Sequence, residues 1–176
     1  MNERKHILIC GEVGIGKSTL IARLLEHSSR PRYGFITKKL DPDGNGFHPI
    51  HIHPAGAKTR VWEQDNMIGT CDRRTHNINL NVFNTLGVSY LQAKPDGIIV
   101  MDELGFMESK ADAFTQAVIH ALDGDIPVIA AVKARFDVPF LNEVRAHPKT
   151  MLYMITTENR DALFSELLPI VQGWKG

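Results

Sequence analysis

The chain has 176 residues, of which 43% are apolar and 23% charged. That is enough length and apolar mass for one domain, residues 1–176, with a buried core, and it excludes a disordered polyelectrolyte. The 20 Lys and Arg offset 20 Asp and Glu to a formal net charge of zero, which argues against a broad basic surface for nucleic acid while leaving room for a local positive site.

Along the chain, His6-Ile-Leu-Ile-Cys10 is a short apolar run without alternation, the pattern of a strand covered on both faces. Leu20, Ile21, Leu24 and Leu25 follow at helical spacing. Tyr33–Leu40 and Gly46–His53 look extended, and Asp41-Pro-Asp-Gly-Asn-Gly46 between them is dense in turn residues, which predicts an antiparallel hairpin inserted after the first helix. Residues 54–80 carry the weakest pattern and are expected to be irregular, with a short strand around Val61. A helix is expected over Val82–Ala93, weakened by Gly87. Gly97–Met101, Pro127–Val132 and Met151–Ile155 repeat the covered-strand pattern. Helical runs follow two of them, one through Ala113, Phe114, Ala117, Val118, Ala121 and Leu122, the other through Leu163, Phe164, Leu167, Leu168 and Val171. Strands alternating with helices predict a three-layer α/β fold with a mostly parallel sheet and the hairpin as an insertion.

No apolar run nears the ~18 residues of a membrane span. Behind the charged start Met1-Asn-Glu-Arg-Lys5, the stretch Ile7 to Cys10 is too short for a signal peptide. Cys10 and Cys71, the two cysteines, read as reduced thiols. A cytoplasmic protein is expected, without contact to membranes.

Gly11-Glu12-Val13-Gly14-Ile15-Gly16-Lys17-Ser18-Thr19 fits Gly-x4-Gly-Lys-Ser/Thr. Its glycines let backbone N–H groups turn inward around phosphate oxygens, and the following helix adds its positive N-terminal end. Lys17 would reach the β- and γ-phosphates, and the Ser18 hydroxyl would ligate Mg²⁺. A strand before the loop and an amphipathic helix after it supply the required context.

Ile98-Ile-Val-Met-Asp102-Glu103 is an apolar strand that ends in two carboxylates. Beside a phosphate loop, an Asp there holds Mg²⁺ through water and a following Glu polarises the attacking water. Glu108 divides evenly between packing and site roles. Asp102-Glu-Leu-Gly105 fits the Asp-x-x-Gly of regulatory GTPases, but the guanine-reading Asn/Thr-Lys-x-Asp is missing from the later strands. That class is rejected. Lys133 and Arg135 follow the third run, where a basic lid would neutralise charge on the transferring phosphoryl group; a solvated loop is the equal alternative. Asn159 and Arg160 follow the last run, where related folds hold the base, and Asn159 serves equally as a helix cap. Arg73 and Arg74 read as surface charge. His51 and His53 share a strand face, but a metal needs three or four converging ligands, so they are not taken as a metal site.

Four blocks then line up. They are the loop Gly11–Thr19, Gly34-Phe35-Ile36-Thr37, Asp102-Glu103-Leu104-Gly105-Phe106-Met107-Glu108, and Thr157-Glu158-Asn159-Arg160-Asp161. In this order they resemble the small nucleoside-triphosphatase family of P-loop proteins, related in fold to nucleotide kinases. The resemblance implies slow Mg²⁺-dependent hydrolysis of nucleoside triphosphates (ATP or GTP class) to diphosphate and phosphate, with broad base tolerance. It places phosphate and metal on Lys17 and Ser18, metal support on Asp102, and the base at Glu103. The basic stretch such proteins carry at the hairpin tip is missing from Asp43-Gly-Asn-Gly-Phe47. Two other functions fit the same loop: a nucleotide or small-metabolite kinase, and a nucleotide-gated accessory subunit using residues 54–80, although nothing in the sequence indicates a protein partner.

Overall fold

The computed structural model describes residues 4–74 and 76–174; Met1–Glu3, at the charged start, lie outside the described residues. The first apolar run forms β1 (His6–Gly11), and the loop after it leads into α1 (Lys17–Leu25). There follow β2 (Arg32–Lys39), β3 (His48–Pro54), β4 (Met67–Cys71) and β5 (His76–Ile78). Helix α2 is built of Leu80–Val82, a π-helical turn Phe83–Gly87 and Val88–Tyr90. The second half alternates β6 (Ile98–Leu104), α3 (Asp112–Asp123), β7 (Val128–Lys133), α4 (Pro139–Ala146), β8 (Thr150–Met154) and α5 (Arg160–Gly173).

All eight strands join one sheet in the order β5-β4-β3-β2-β6-β7-β1-β8. From β2 to β8 the pairs are parallel, and from β2 outward to β5 they are antiparallel. Successive strand residues face opposite sides, and the two cores divide accordingly. Ile7, Ile9, Ile98, Val100, Ile129 and Ala131 pack with α1 and α5. Leu8, Ile99, Met101, Val128, Ala130 and Val132 pack with α2, α3 and α4. These are the three layers expected. Burial on both faces explains the missing alternation in β1, β6 and β7; for β8 the covered-strand expectation is corrected, since it ends the sheet and leaves Leu152 and Met154 exposed. His6 is the polar exception within β1. Its Nε2 lies 2.9 Å from Leu122 O, its Nδ1 accepts the Val128 N–H, and burial pushes its pKa down to about 4.

The hairpin forms as β2 and β3, closed by Asp43, whose Oδ1 accepts the N–H groups of Asn45 and Phe47. Gly34 in β2 is a requirement of close approach, since a Cβ there would lie 1.9 Å from Val100 O of β6. The expected irregular stretch is corrected. Residues 67–78 add two more antiparallel strands, while Val61 sits in a loop with no strand. The two strands give little sequence signal because both are short and β5, at the sheet edge, is exposed throughout. Helix α4 has no counterpart in the sequence reading. Its buried face is only Phe140, Leu141, Val144 and Arg145, and Pro139 occupies its first turn, where a missing N–H costs nothing. Cys10 and Cys71 are both buried and free. Among the described residues no helix is long and apolar enough to cross a membrane.

Gly87 lies inside α2 for a packing reason. A Cβ there would stand 2.6 Å from Cδ2 of Phe114, whose ring is itself fixed between Phe35 and Phe83 at 5.4 and 5.3 Å. The helix propensity gained by Gly87→Ala is worth ~1 kcal/mol, and overpacking a core costs about 1–3 kcal/mol. The variant is therefore expected to unfold at lower urea concentration than the parent. A raised midpoint would show that the ring can move aside.

Candidate active site

Gly11–Thr19 wraps from the end of β1 into α1. Gly14 and Gly16 have φ of 75° and 110°, the left-handed region, so the turn needs glycine. Helix α1 starts with no side-chain cap and no acidic residue in its first turn, which leaves its amides for an anion. The resulting cradle is lined by Val13, Gly14, Gly16, Lys17, Ser18, Thr19 and Glu103. Lys17 is 4% exposed. Its Nζ donates to Gly11 O at 2.7 Å and Glu12 O at 2.8 Å, and lies 3.2 Å from Glu103 Oε2. Two hydrogen bonds and an ion pair thus surround the buried ammonium.

The carboxylates arrive from β6, which is not a neighbour of β1. Strand β7 runs between them, setting their backbones about 10 Å apart. Across that gap Ser18 Oγ donates to Asp102 Oδ1 at 2.8 Å. Burial raises the Asp102 pKa, and the Ser18 hydrogen bond opposes the rise. The β6–β7 register shifts between Asp102 and Leu104, leaving Glu103 outside the ladder, so that two successive carboxylates serve one site instead of opposite faces. Glu103 spans two ammonium groups, Lys17 through Oε2 at 3.2 Å and Lys133 through Oε1 at 3.6 Å. Thr37 braces this peptide. Its hydroxyl accepts the Glu103 N–H at 3.3 Å and faces Asp102 O at 3.4 Å.

Among the described residues no group of three or more His, Cys, Asp or Glu could hold a metal ion, and His51 and His53 do not make one. Ser18 and Asp102 do place a hydroxyl and a carboxylate oxygen together at the cradle edge. Hard oxygen donors, few from the protein and the rest from phosphate and water, are the ligands Mg²⁺ takes.

The other expected residues divide. Lys133 joins the site. Arg135 does not, because its guanidinium is forked onto Asp137 at 2.8 and 2.7 Å over the Phe106 ring. Asn159 does not cap α5 with its side chain. It ties the turn before the helix, accepting from Thr156 N at 2.7 Å and donating to Met154 O at 2.8 Å. Arg160 runs beside the loop and lines a small cavity with Gly16, Thr19 and Arg23. Arg145 went unnoticed with its helix. It donates to the carbonyls of Lys133 and Arg135 at 3.0 and 2.8 Å and fixes the strand end that carries Lys133. Thr37 was signalled only by its block, not by any chemistry of its own.

Beyond Glu103 lies a cavity of about 340 Å³ whose walls include Thr37, Lys39, Cys71, His76, Phe106 and Lys133. Val13 and Glu103 line both this cavity and the cradle. Glu108 closes its floor, 3% exposed, accepting the Gly105 N–H. Burial lifts its pKa to about 7, against the Gly105 hydrogen bond.

A family model described as NTPase matches residues 6–168. The nucleoside-triphosphatase THEP1 of Methanocaldococcus jannaschii is 31% identical over 170 residues, covering 93% of this chain and 95% of its own. That of Aquifex aeolicus is 27% identical over 175 residues, covering 94% and 98%. The crystal structure of the Aquifex aeolicus THEP1 superposes with a TM-score of 0.73 at 25% identity, over 95% of this chain and 99% of that one. The solution structure of a human cancer-related nucleoside triphosphatase gives 0.69 at 22% identity, over 98% and 100%, a likeness of fold.

The Glu108 carboxyl gives a pH prediction. Its folded pKa of about 7 stands above the ordinary 4.5, so the folded state holds the extra proton, and this contribution is present at low pH and lost as pH rises through 7. Glu108→Gln keeps an acceptor for Gly105 and cannot ionise. Relative to the parent, the variant should gain ~3 kcal/mol of stability between pH 4.5 and pH 8, read from urea titrations at both. A difference that does not change with pH would count against a proton on Glu108.

Proposed function

Because the chain belongs to the NTPase family and is a nucleoside-triphosphatase, we propose that it hydrolyses the γ-phosphate with Mg²⁺ held at Ser18 and Asp102 and with Glu103 placing the water. The observation that carries this is Glu103, set between Lys17 and Lys133 at the edge of the cradle. The triphosphate lies along the Gly11–Thr19 amides, and Lys17 exchanges the Gly11 and Glu12 carbonyls for phosphate oxygens. Mg²⁺, when bound, neutralises charge on the β- and γ-oxygens. With Lys17 turned to phosphate, Glu103 Oε2 is released while Oε1 stays with Lys133, and the freed oxygen accepts a hydrogen from the water. The water oxygen attacks the γ-phosphorus, the bond to the β-bridging oxygen breaks, and nucleoside diphosphate leaves with both electrons. The water proton passes through Glu103 to solvent. Asn159 already holds Thr156 and Met154, and this structural task for the residue nearest a base site supports broad base tolerance. Two free thiols support the cytoplasmic reading.

Lys17→Ala is expected to abolish Mg²⁺-dependent phosphate release, and EDTA to abolish it in the parent. Glu103→Gln should lower kcat at least ~100-fold with little change in KM, since placing water acts on the transition state. The parent rate itself is expected near ~10⁻⁴ to 10⁻² s⁻¹. A Glu103→Gln protein that turns over like its parent would remove Glu103 from the mechanism.

One observation favours a second reading, transfer to an acceptor. The cavity beyond Glu103 joins the cradle at Val13 and Glu103, whereas the hollow beside Arg160 joins it at Gly16 and Thr19, so the cavity could seat an acceptor at the end of the cradle that Glu103 marks. Hydrolysis predicts ADP and phosphate in equal amounts from ATP, with or without an added deproteinised extract of cellular small molecules. Phosphate falling behind ADP only when the extract is present would establish a kinase.

A further inference from the structure

Resting on the hydrolytic reading, the geometry points to Arg60 as the cation that this chain supplies to its own transferring phosphoryl group. Ile36 pairs with His53 on one side and with Asp102 on the other. His53, Ile36 and Asp102 therefore form one row across three strands, and the outer two are about 10 Å apart. Neighbours in a row share a face, and the Asp102 side chain marks that face as the one carrying Ser18 and α1. His51, two residues from His53, shares it.

These two histidines fasten the loop that returns from β3. His53 Nε2 and Val61 O are 2.7 Å apart, and Asn66 Nδ2 donates to the same carbonyl at 2.9 Å and to Ile52 O at 3.0 Å. Trp62 stands edge-on to His53 at 4.6 Å and to His51 at 5.5 Å. His53 is buried with Nδ1 unpaired, an expense the fold accepts while holding Val61 and Trp62 in place. Arg60 is the residue before Val61, so its backbone is fixed two strands from the metal-side carboxylate.

The guanidinium is exposed and makes no hydrogen bond or ion pair with any described residue, and it is carried next to the carbonyl that His53 of the Asp102 row holds. Three other cations near the site already face anionic partners: Lys17 and Lys133 share Glu103, and Arg135 is paired with Asp137. A planar fork of N–H donors held close to the γ-phosphate, and free to take its oxygens as charge moves onto them, is the part other P-loop proteins receive from an arginine finger.

The test compares Arg60→Ala and Arg60→Lys with Lys58→Ala, an exposed cation on the same loop. Arg60→Ala should lower kcat for ATP hydrolysis about 100-fold or more with KM within about threefold, and Arg60→Lys should not restore it. Calorimetry supplies a reading without turnover. Arg60→Ala should keep ADP affinity but lose at least about tenfold in the tighter binding of ADP with aluminium fluoride, while Lys58→Ala loses neither. Arg60→Ala with kcat within twofold of the parent and an undiminished aluminium fluoride complex would overturn the inference and leave hydrolysis standing. A parent without Mg²⁺-dependent turnover would sink the hydrolytic reading instead, and Arg60 would then be judged by whether its removal weakens a non-hydrolysable ATP analogue relative to ADP.

Discussion

A buried ammonium is tolerated only where protein groups replace the water it has lost. Lys17 meets that condition with two loop carbonyls and one carboxylate oxygen, and most of the site can be read as the means of supplying them. The left-handed glycines bend Gly11 and Glu12 back over the amine. The shifted register of β6 brings Glu103 to it. Thr37 and Lys133 keep Glu103 there from two other directions. Each partner of Lys17 is one that a polyphosphate oxygen could displace, so the apo arrangement holds the charge in readiness for phosphate without leaving it bare.

Sheet order sets the dimensions of this arrangement. With β7 between β1 and β6, a gap of two strand spacings separates the loop from the acidic strand end. Direct neighbours would crowd a metal ion, a phosphoryl group and a water into half that width. Arg145 keeps the end of β7 in place through the Lys133 and Arg135 carbonyls. The same order creates a track. The hollow beside Arg160 shares Gly16 and Thr19 with the cradle, and the cradle shares Val13 and Glu103 with the larger cavity. Nucleoside, phosphates and nucleophile can therefore lie in sequence, as in-line displacement requires.

What could be read from the sequence was local. The glycine loop and Asp102-Glu103 are recognisable because their chemistry sits in consecutive residues, and the covered strands because burial on both faces suppresses alternation. What stayed hidden depends on pairing between distant segments. Thr37 matters only because β2 lies beside β6 in the observed register. Strands β4 and β5 are short, with β5 an exposed edge, and α4 shows too few apolar positions to stand out. Gly87, read as a weakness in a helix, is a contact with Phe114 that spacing cannot disclose. His51 and His53 do share one face, but their partners Trp62 and Asn66 come from a loop without pattern. Arg135, attractive by position, is paired here with an aspartate two residues away, a contact that its spacing from the strand does not disclose.

The three acidic groups around the γ-phosphate position show how environment divides similar chemistry. Asp102 is buried and takes a hydrogen bond from Ser18, which suits a group that shares a cation with a hydroxyl. Glu108 is buried deeper, with backbone donors as its hydrogen-bond partners and a pKa lifted to about 7, and it is directed at Gly105 and not at the cradle. Glu103 alone has each oxygen facing an ammonium that belongs to a different element. In the proposed mechanism substrate claims one ammonium while the other still holds the carboxylate, so orientation would survive the moment at which an oxygen becomes free. Phosphoryl transfer asks more of placement than of base strength, and a carboxylate held by two independent cations meets that demand with no change in the strand that carries it.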